Sequence, residues 1–420
     1  MTTQSEYPQP PLSLTKGLGP ALAHDDPARL IGSSLFAADR DFPQLTLNGP
    51  AIAHNIEAMM GYVRDRGVSI APHGKTAMSP QLAQQQLDAG AWGITAATPF
   101  QLRVYRAAGM PRLLLANQLV EPGAIAWIRG ELAADPDFEC LVYADSTAGL
   151  DLLADPAAAD ADRPLSVLLE AGNPGGRTGA RDEAALRALA EHAARTPGIR
   201  VVGIATYEGT LGGDTPEESA ARVVAFAENL GEIVGRLEEA QLVPADCTVS
   251  IGGSAYFDAA VDGLISAGIA AHRILLRSGA YLTHDDGFYS RLTPLARGNA
   301  AAPALRPAIT VWAPVLSIPE PGLAIVLCGR RDVGFDQGMP VVHGSRGRDG
   351  SDPRPFSGTI TQLADQHAFI QFDPSGDAPR VGDLVELGIS HPCTTLDRWG
   401  LVPLVDDEAR IVDLIRMHFA

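Results

Sequence analysis

The sequence predicts an α/β fold: a (β/α)8 barrel of the TIM type with a second, smaller C-terminal β domain. Three observations predict it. From residue 69, short apolar runs ending in Gly, Asn, Asp or Thr alternate with longer Ala/Leu/Arg/Glu segments of helical period, and such alternation implies parallel strands joined by right-handed crossovers. The apolar runs number eight, enough to close a barrel of roughly 250 residues. After about residue 300 the helical period fades and strand-like runs with Pro/Gly turns replace it. An open doubly wound sheet is the competing arrangement, but the GxGxxG fingerprint of its nucleotide-binding turn is missing.

The elements follow in order. The segment 1–42 is rich in Pro, Ser and Asp and is expected to join the β domain in part. "FPQLTLNGPAIAHNIEAMMGYVRDRG" (42–67) reads as a strand crossing from the β domain, then a helix leading into the first barrel strand. The eight strand candidates are "VSIAP" (68–72), "WGITAAT" (92–98), "RLLLANQ" (112–118), "FECLVYAD" (138–145), "LSVLLEAG" (165–172), "RVVGIATYEG" (200–209), "CTVSIGGS" (247–254) and "RILLRSGAY" (273–281). Helical stretches such as "SPQLAQQQLDAG" (79–90) and "ARDEAALRALAEHAART" (180–196) separate them, and "DPAAADADRP" (155–164) is a polar connection. The barrel is expected over 43–299. The β domain is expected over 300–420, on runs such as "AITVWAPVLSIP" and "GDLVELGI".

The net charge of -18 argues against nucleic acid as a partner, because phosphate contacts need a basic patch. No apolar run approaches the roughly 20 residues that span a bilayer. Cys140, Cys247, Cys328 and Cys393 form no CxxC pair, and no secretory apolar region opens the chain. A reduced, cytoplasmic setting is therefore the expectation.

Of the 32 basic residues only Lys16 and Lys75 are lysines. Arg covers ion pairing and phosphate binding, but it cannot act as a neutral amine or form a Schiff base. Lys75 is either a chance surface lysine or one kept for its amine. It falls just past the first barrel strand, flanked by His73 and Thr76, on the face where barrel active sites lie. "SIGGSAYF" presents Gly252, Gly253 and Ser254 after the seventh strand, and "RSGAY" presents Gly279 and Tyr281 after the eighth. These are tight turns or a phosphate cradle built from backbone N–H groups. A cradle sharing a rim with a Schiff-base lysine suggests pyridoxal phosphate.

His391 and Cys393 form a second constellation. On an extended strand H-x-C places both side chains on one side, and imidazole with thiolate suits Zn2+. The competing reading is a buried Cys beside a turn His. Cys140, Cys247 and Cys328 sit in apolar runs and read as core; His192 reads as a solvated helix residue. Asp332 and Asp336 are read as shaping a turn. Asp397 and Arg398 either orient ligands or end a strand.

The chain resembles the fold-type III pyridoxal-phosphate enzymes, whose barrel is shared with alanine racemase, and among them the D-serine dehydratase / D-threonine aldolase family. The resemblance rests on "PHGKT" (Pro72–Thr76), "YEG" (Tyr207–Gly209), "SIGGS" (Ser250–Ser254), "SGAY" (Ser278–Tyr281) and "SHPCTT" (Ser390–Thr395). It implies that Lys75 carries the cofactor, that Tyr207 lies by its ring, and that Arg177 lies near the ring's phenolic oxygen or its nitrogen. It also implies a metal at His391 and Cys393, zinc where Cys stands, whereas the aldolases tend to show Asp there. Two departures are visible. Ser254 and Ala255 replace the usual Thr-Pro-Thr, and the stretch from Gly172 to Arg177 is long for the family.

The implied activity is a pyridoxal-phosphate- and zinc-dependent dehydratase of short β-hydroxy D-amino acids, of the D-serine, D-threonine or 3-hydroxyaspartate type. Lys75 would take the Cα proton, and the products are a 2-oxo acid and ammonia. A D-threonine-type aldolase giving glycine and an aldehyde is the alternative. A non-catalytic pyridoxal-phosphate carrier is the alternative of another class. The family implies a homodimer.

Overall fold

Each of the eight expected runs forms a parallel strand. The computed structural model describes residues 14–19, 27–158 and 163–419. Residues 1–13 and 20–26 of the expected N-terminal segment, and 159–162 of the polar connection, lie outside the described residues. A first strand, β1 (Gln44–Asn48), precedes the barrel set. That set is β2 (Ser69–Ile70), β3 (Ile94–Ala96), β4 (Arg112–Gln118), β5 (Glu139–Ala144), β6 (Leu165–Ala171), β7 (Ile199–Thr206), β8 (Thr248–Ile251) and β9 (Ile274–Leu276). The eight pair in the order β2-β9-β8-β7-β6-β5-β4-β3. The two ends meet through Trp92 N–H to Ile70 C=O (2.8 Å) and Thr95 N–H to Pro72 C=O (2.9 Å), which closes the ring.

The strand-to-helix junctions explain why the chain alternates. Thr98, Ser146, Asp182 and Thr215 each cap a helix by accepting the N–H three residues on, and Pro99 and Pro216 follow two of these caps. The caps satisfy N–H groups that have no partner within the helix, and Pro at the first helical position loses nothing. Ala71, Leu114, Leu141, Tyr143, Leu168, Ala205 and Leu275, drawn from around the ring, pack into one buried cluster. This filling makes the barrel a solid core and leaves the chemistry to its rim.

The remaining strands are β10 (Ile309–Glu320), β11 (Leu323–Val326), β12 (Val341–Arg346), β13 (Thr359–Leu363), β14 (Ala368–Gln371), β15 (Leu384–Gly388), β16 (Leu401–Val405) and β17 (Ile411–Arg416). They form a sheet with β1, in the order β13-β14-β11-β10-β1-β16-β17, and β15 links β10 to β12. β1 runs parallel to β16 and antiparallel to β10. By contacts, one unit gathers residues up to His54, Thr283–Ser290 and the chain from Arg306; the other is Asn55–Leu282 with Arg291–Leu305.

Lys16 belongs to the sheet unit, and its site is structural. Its Nζ lies 2.7 Å from Asp332 Oδ1, donates to Arg331 O at 2.8 Å and stands 3.9 Å from the centroid of the Trp399 ring. Asp332 is buried, and its other oxygen accepts the Gly329 N–H at 2.7 Å. Cys140, Cys247 and Cys328 are buried free thiols, as their apolar settings suggested. Among the described residues no helix is long and apolar enough to cross a membrane.

Candidate active site

Lys75 lies on a single 3-10 turn, Gly74–Thr76, directly after β2, and is exposed. The turn is held from below. Tyr105, buried on the helix Pro99–Ala107, donates its hydroxyl to Gly74 O at 2.7 Å. A Cβ on Gly74 would fall 2.3 Å from that hydroxyl, so no side chain fits there. His73, just before the turn, bridges in parallel to Thr95 and donates its N–H to Arg277 O at 3.2 Å. Its Nδ1 is enclosed and has no hydrogen-bond partner. Desolvation, reinforced by the positive charges of Lys75, Arg277 and Arg177, holds the ring well below the usual histidine range, so it is neutral.

The two glycine-bearing loops are laced together. Ser278 donates to Gly253 O at 2.8 Å, while Ser254 Oγ accepts the N–H groups of Gly279 (3.3 Å) and Ala280 (3.0 Å). Gly279 passes so close to the lysine loop that a Cβ would sit 2.3 Å from His73 O. Gly252 has φ +104°, which only glycine adopts readily. The N–H groups of Gly252 and Gly253 converge on one carboxylate, that of Glu208, with Gly252 N at 3.2 Å from Oε2.

Tyr207 caps the turn Glu208–Thr210 after β7, and the Arg177 guanidinium stands 4.9 Å from the centroid of its ring. Tyr281 is buried, with its hydroxyl donating to Gln86 Oε1 at 2.8 Å. Two charged residues escaped the sequence reading. Arg277, buried at the end of β9, donates to Ser250 Oγ at 2.7 Å and to Thr206 O. Glu170, at the end of β6, accepts from Thr178 Oγ1 at 3.1 Å and from Gln118, and burial pushes its carboxyl up. The signal for Arg277 was available, since it immediately precedes the "SGAY" motif.

These residues fit pyridoxal phosphate. Loop N–H groups already gather around an anion, the enclosed His73 Nδ1 lacks a partner, and an exposed amine stands on the same rim.

The second constellation corrects the sequence reading. His391 and Cys393 are not on an extended strand: they straddle a junction between β15 and the short helix Cys393–Leu396, with Pro392 as its cap at φ -63° and ψ -44°. Pro392 carries no N–H for a ladder and is preset for a helical turn, and its C=O accepts the N–H groups of Thr395 (3.1 Å) and Leu396 (2.9 Å). The two side chains meet all the same, through a hydrogen bond between ring and thiol. His391 Nδ1 lies 2.8 Å from Asp336 Oδ2. Burial opposes a charged ring here, but Cys393 and Asp336 outweigh it and push His391 up to about 9. A half-exposed imidazole beside a thiol is a donor set that suits zinc. Asp397 and Arg398 pair with each other at 2.6 Å, and His192 meets Asp151 at 2.6 Å.

The chain matches the family "Alanine racemase, N-terminal domain" over residues 47–282 and "Putative serine dehydratase domain" over 308–405. It is 28% identical over 352 residues to a D-threonine aldolase from Arthrobacter sp, covering 84% of this chain and 85% of that one. Among solved structures it is similar to D-threonine aldolase from Filomicrobium marinum, with a TM-score of 0.79 and 25% identity over 93% of this chain and 98% of that one. It also shares the fold of D-threo-3-hydroxyaspartate dehydratase from Delftia sp. HT23, with a TM-score of 0.72 and 21% identity over 92% and 100% of the two chains.

Proposed function

The chain belongs to the alanine racemase N-terminal domain family, within the fold-type III pyridoxal-phosphate enzymes, and from that premise we propose that it is a pyridoxal-phosphate- and zinc-dependent lyase that dehydrates and deaminates a short β-hydroxy D-amino acid. The observation that carries the choice of dehydration is the Cys393 thiol hydrogen-bonded to His391, a soft donor pair in place of the harder carboxylate expected of aldolases.

Lys75 would hold the cofactor, and its freed amine would take the Cα proton, which leaves with the β-hydroxyl as water. The N–H groups of Gly252 and Gly253, with Ser254, would seat the phosphate, and Tyr207 and Arg177 would flank the ring. His73, held neutral by desolvation and by the nearby positive charges, adds no competing charge at the base of the lysine turn. His391 and Cys393 would hold the zinc. Pyridoxal phosphate supplies an electron sink at Cα and zinc a Lewis acid for the β-hydroxyl. A homodimer in a reducing, cytoplasmic setting completes the reading. The family resemblance and the absence of disulfides among the described residues support it.

A D-threonine-type aldolase is the second reading, favoured by the similarity to two D-threonine aldolases. D-serine, D-threonine and D-threo-3-hydroxyaspartate, each incubated with and without a chelator, separate the two. A 2-oxo acid and ammonia, lost on chelation, support dehydration. Glycine and an aldehyde from D-threonine, with no 2-oxo acid from any of the three, overturn it.

A further inference from the structure

The connection at residues 333–340 is fastened to the segment carrying His391 and Cys393 at several points. Gly334 N–H donates to Thr395 Oγ1 at 3.0 Å, and Ser390 Oγ donates to Gly338 O at 2.6 Å. Thr395 Oγ1 in turn donates to His391 O at 2.8 Å. A Cβ on Gly334 would fall 2.2 Å from Thr394 Oγ1 and 3.1 Å from the Thr394 carbonyl carbon, so no side chain fits between the two segments. The position of Asp336 within this connection is therefore set by backbone, not by a wandering surface side chain.

Both oxygens of Asp336 are engaged on one side of the candidate metal pair. Oδ2 lies 2.8 Å from His391 Nδ1, and Oδ1 accepts the Thr394 hydroxyl at 2.6 Å. Thr394 Oγ1 also stands 3.3 Å from Nδ1, but its proton points to Asp336. A metal-bound imidazole is neutral, and in that form Nδ1 keeps the proton and donates it to the carboxylate. That leaves the lone pair on Nε2, the nitrogen turned away from Asp336. Phe288 packs beside the ring, with centroids 6.3 Å apart and planes tilted by 50°.

Resting on the metal reading above, we propose that Asp336 is a positioning residue. It fixes the tautomer and the plane of His391 so that Nε2 faces the metal, and its negative charge makes that nitrogen a better donor. A carboxylate behind a metal-bound imidazole acts in this way, and its loss weakens metal binding by about 10- to 100-fold. Asp336 itself is not a ligand, because its oxygens are spent on Nδ1 and Thr394.

The test measures zinc affinity of the purified enzyme by competition with a chromophoric chelator, without reference to turnover. His391→Ala should lose the metal. Asp336→Ala should bind zinc about 10- to 100-fold more weakly. Asp336→Asn, which keeps an acceptor for Nδ1–H but no charge, should fall between Asp336→Ala and the native protein. Thr394→Val removes the other tie on Asp336 and should stay within about threefold of native. A purely structural clasp would make Thr394→Val and Asp336→Ala alike. Native affinity in Asp336→Ala, with the metal lost in His391→Ala, overturns the proposal and leaves the metal reading standing. Full zinc retention in His391→Ala removes the metal reading, and this proposal with it.

Discussion

The Glu208 carboxylate accepts the backbone N–H of Gly252 at 3.2 Å and that of Gly253 beside it, so the candidate phosphate cradle closes on the chain's own anion. Glu208 is 1% exposed. A phosphate entering the cradle meets a competitor for the same donors and a like charge beside it. Glu208→Gln keeps an acceptor and removes the charge. Pyridoxal phosphate should bind about three- to tenfold more tightly, a gain of up to roughly 1.4 kcal/mol. Pyridoxal, which lacks the phosphate, should bind as before. Weaker binding of the phosphorylated form would make Glu208 part of the site and not a rival to it.

Lys75→Arg preserves charge and loses the amine. The variant should fold normally, lose the visible absorption of the bound cofactor, and show no lyase activity, because a guanidinium forms no Schiff base. A yellow, active variant would show that the lysine is dispensable.

Cys393→Asp replaces a soft donor by a hard one. Zinc retention should fall and preference should move towards Mn2+ or Mg2+. Cofactor binding, assigned to the barrel unit, should be unaffected. Elemental analysis and cofactor spectra on one sample separate the two effects. A metal-free enzyme that dehydrates D-serine at the native rate would leave His391 better read as a general acid.

Much of the fold was legible because its signals are local. Each barrel strand announces itself by an apolar run, and residues such as Thr98 and Thr215 mark where helices begin. Lys75 stood out by rarity, and the glycines by position. Asp336 was not legible: 55 residues separate it from His391, and nothing local marks a carboxylate that a turn carries there. Glu208 was quoted only as the middle of "YEG", since a buried carboxylate on two loop amides is a tertiary fact. The H-x-C strand failed because alternation was weighed above Pro392, whose missing N–H and fixed φ begin a helix.

Asp285 gives a pH test. Its Oδ1 accepts the N–H groups of Gly287 (2.9 Å) and Tyr289 (2.9 Å), while its buried Oδ2 has no partner. Burial pushes the carboxyl up to about 7. The folded form thus holds its proton after the unfolded chain has released it. The associated stability is fully present below about pH 4 and is lost as pH rises to about 7, by up to roughly 1.4 kcal/mol per pH unit. Asp285→Asn keeps the Oδ1 acceptor and cannot ionise. Its melting temperature should exceed the native one at pH 8, with the advantage shrinking towards pH 4. A difference that does not change with pH would rule out a raised carboxyl.

The clasp on Lys16 has an analytical use. Asp332, the Arg331 carbonyl and the Trp399 face occupy that ammonium, whereas Lys75 is exposed and is the lysine assigned to the cofactor. Hydride reduction would turn a reversible link at Lys75 into a permanent one. A protease that cuts after lysine divides the unmodified chain into three pieces, at Lys16 and Lys75. Once Lys75 is blocked it yields two: the mass of the larger piece identifies the adduct, and its proportion reports what fraction of chains carried the cofactor.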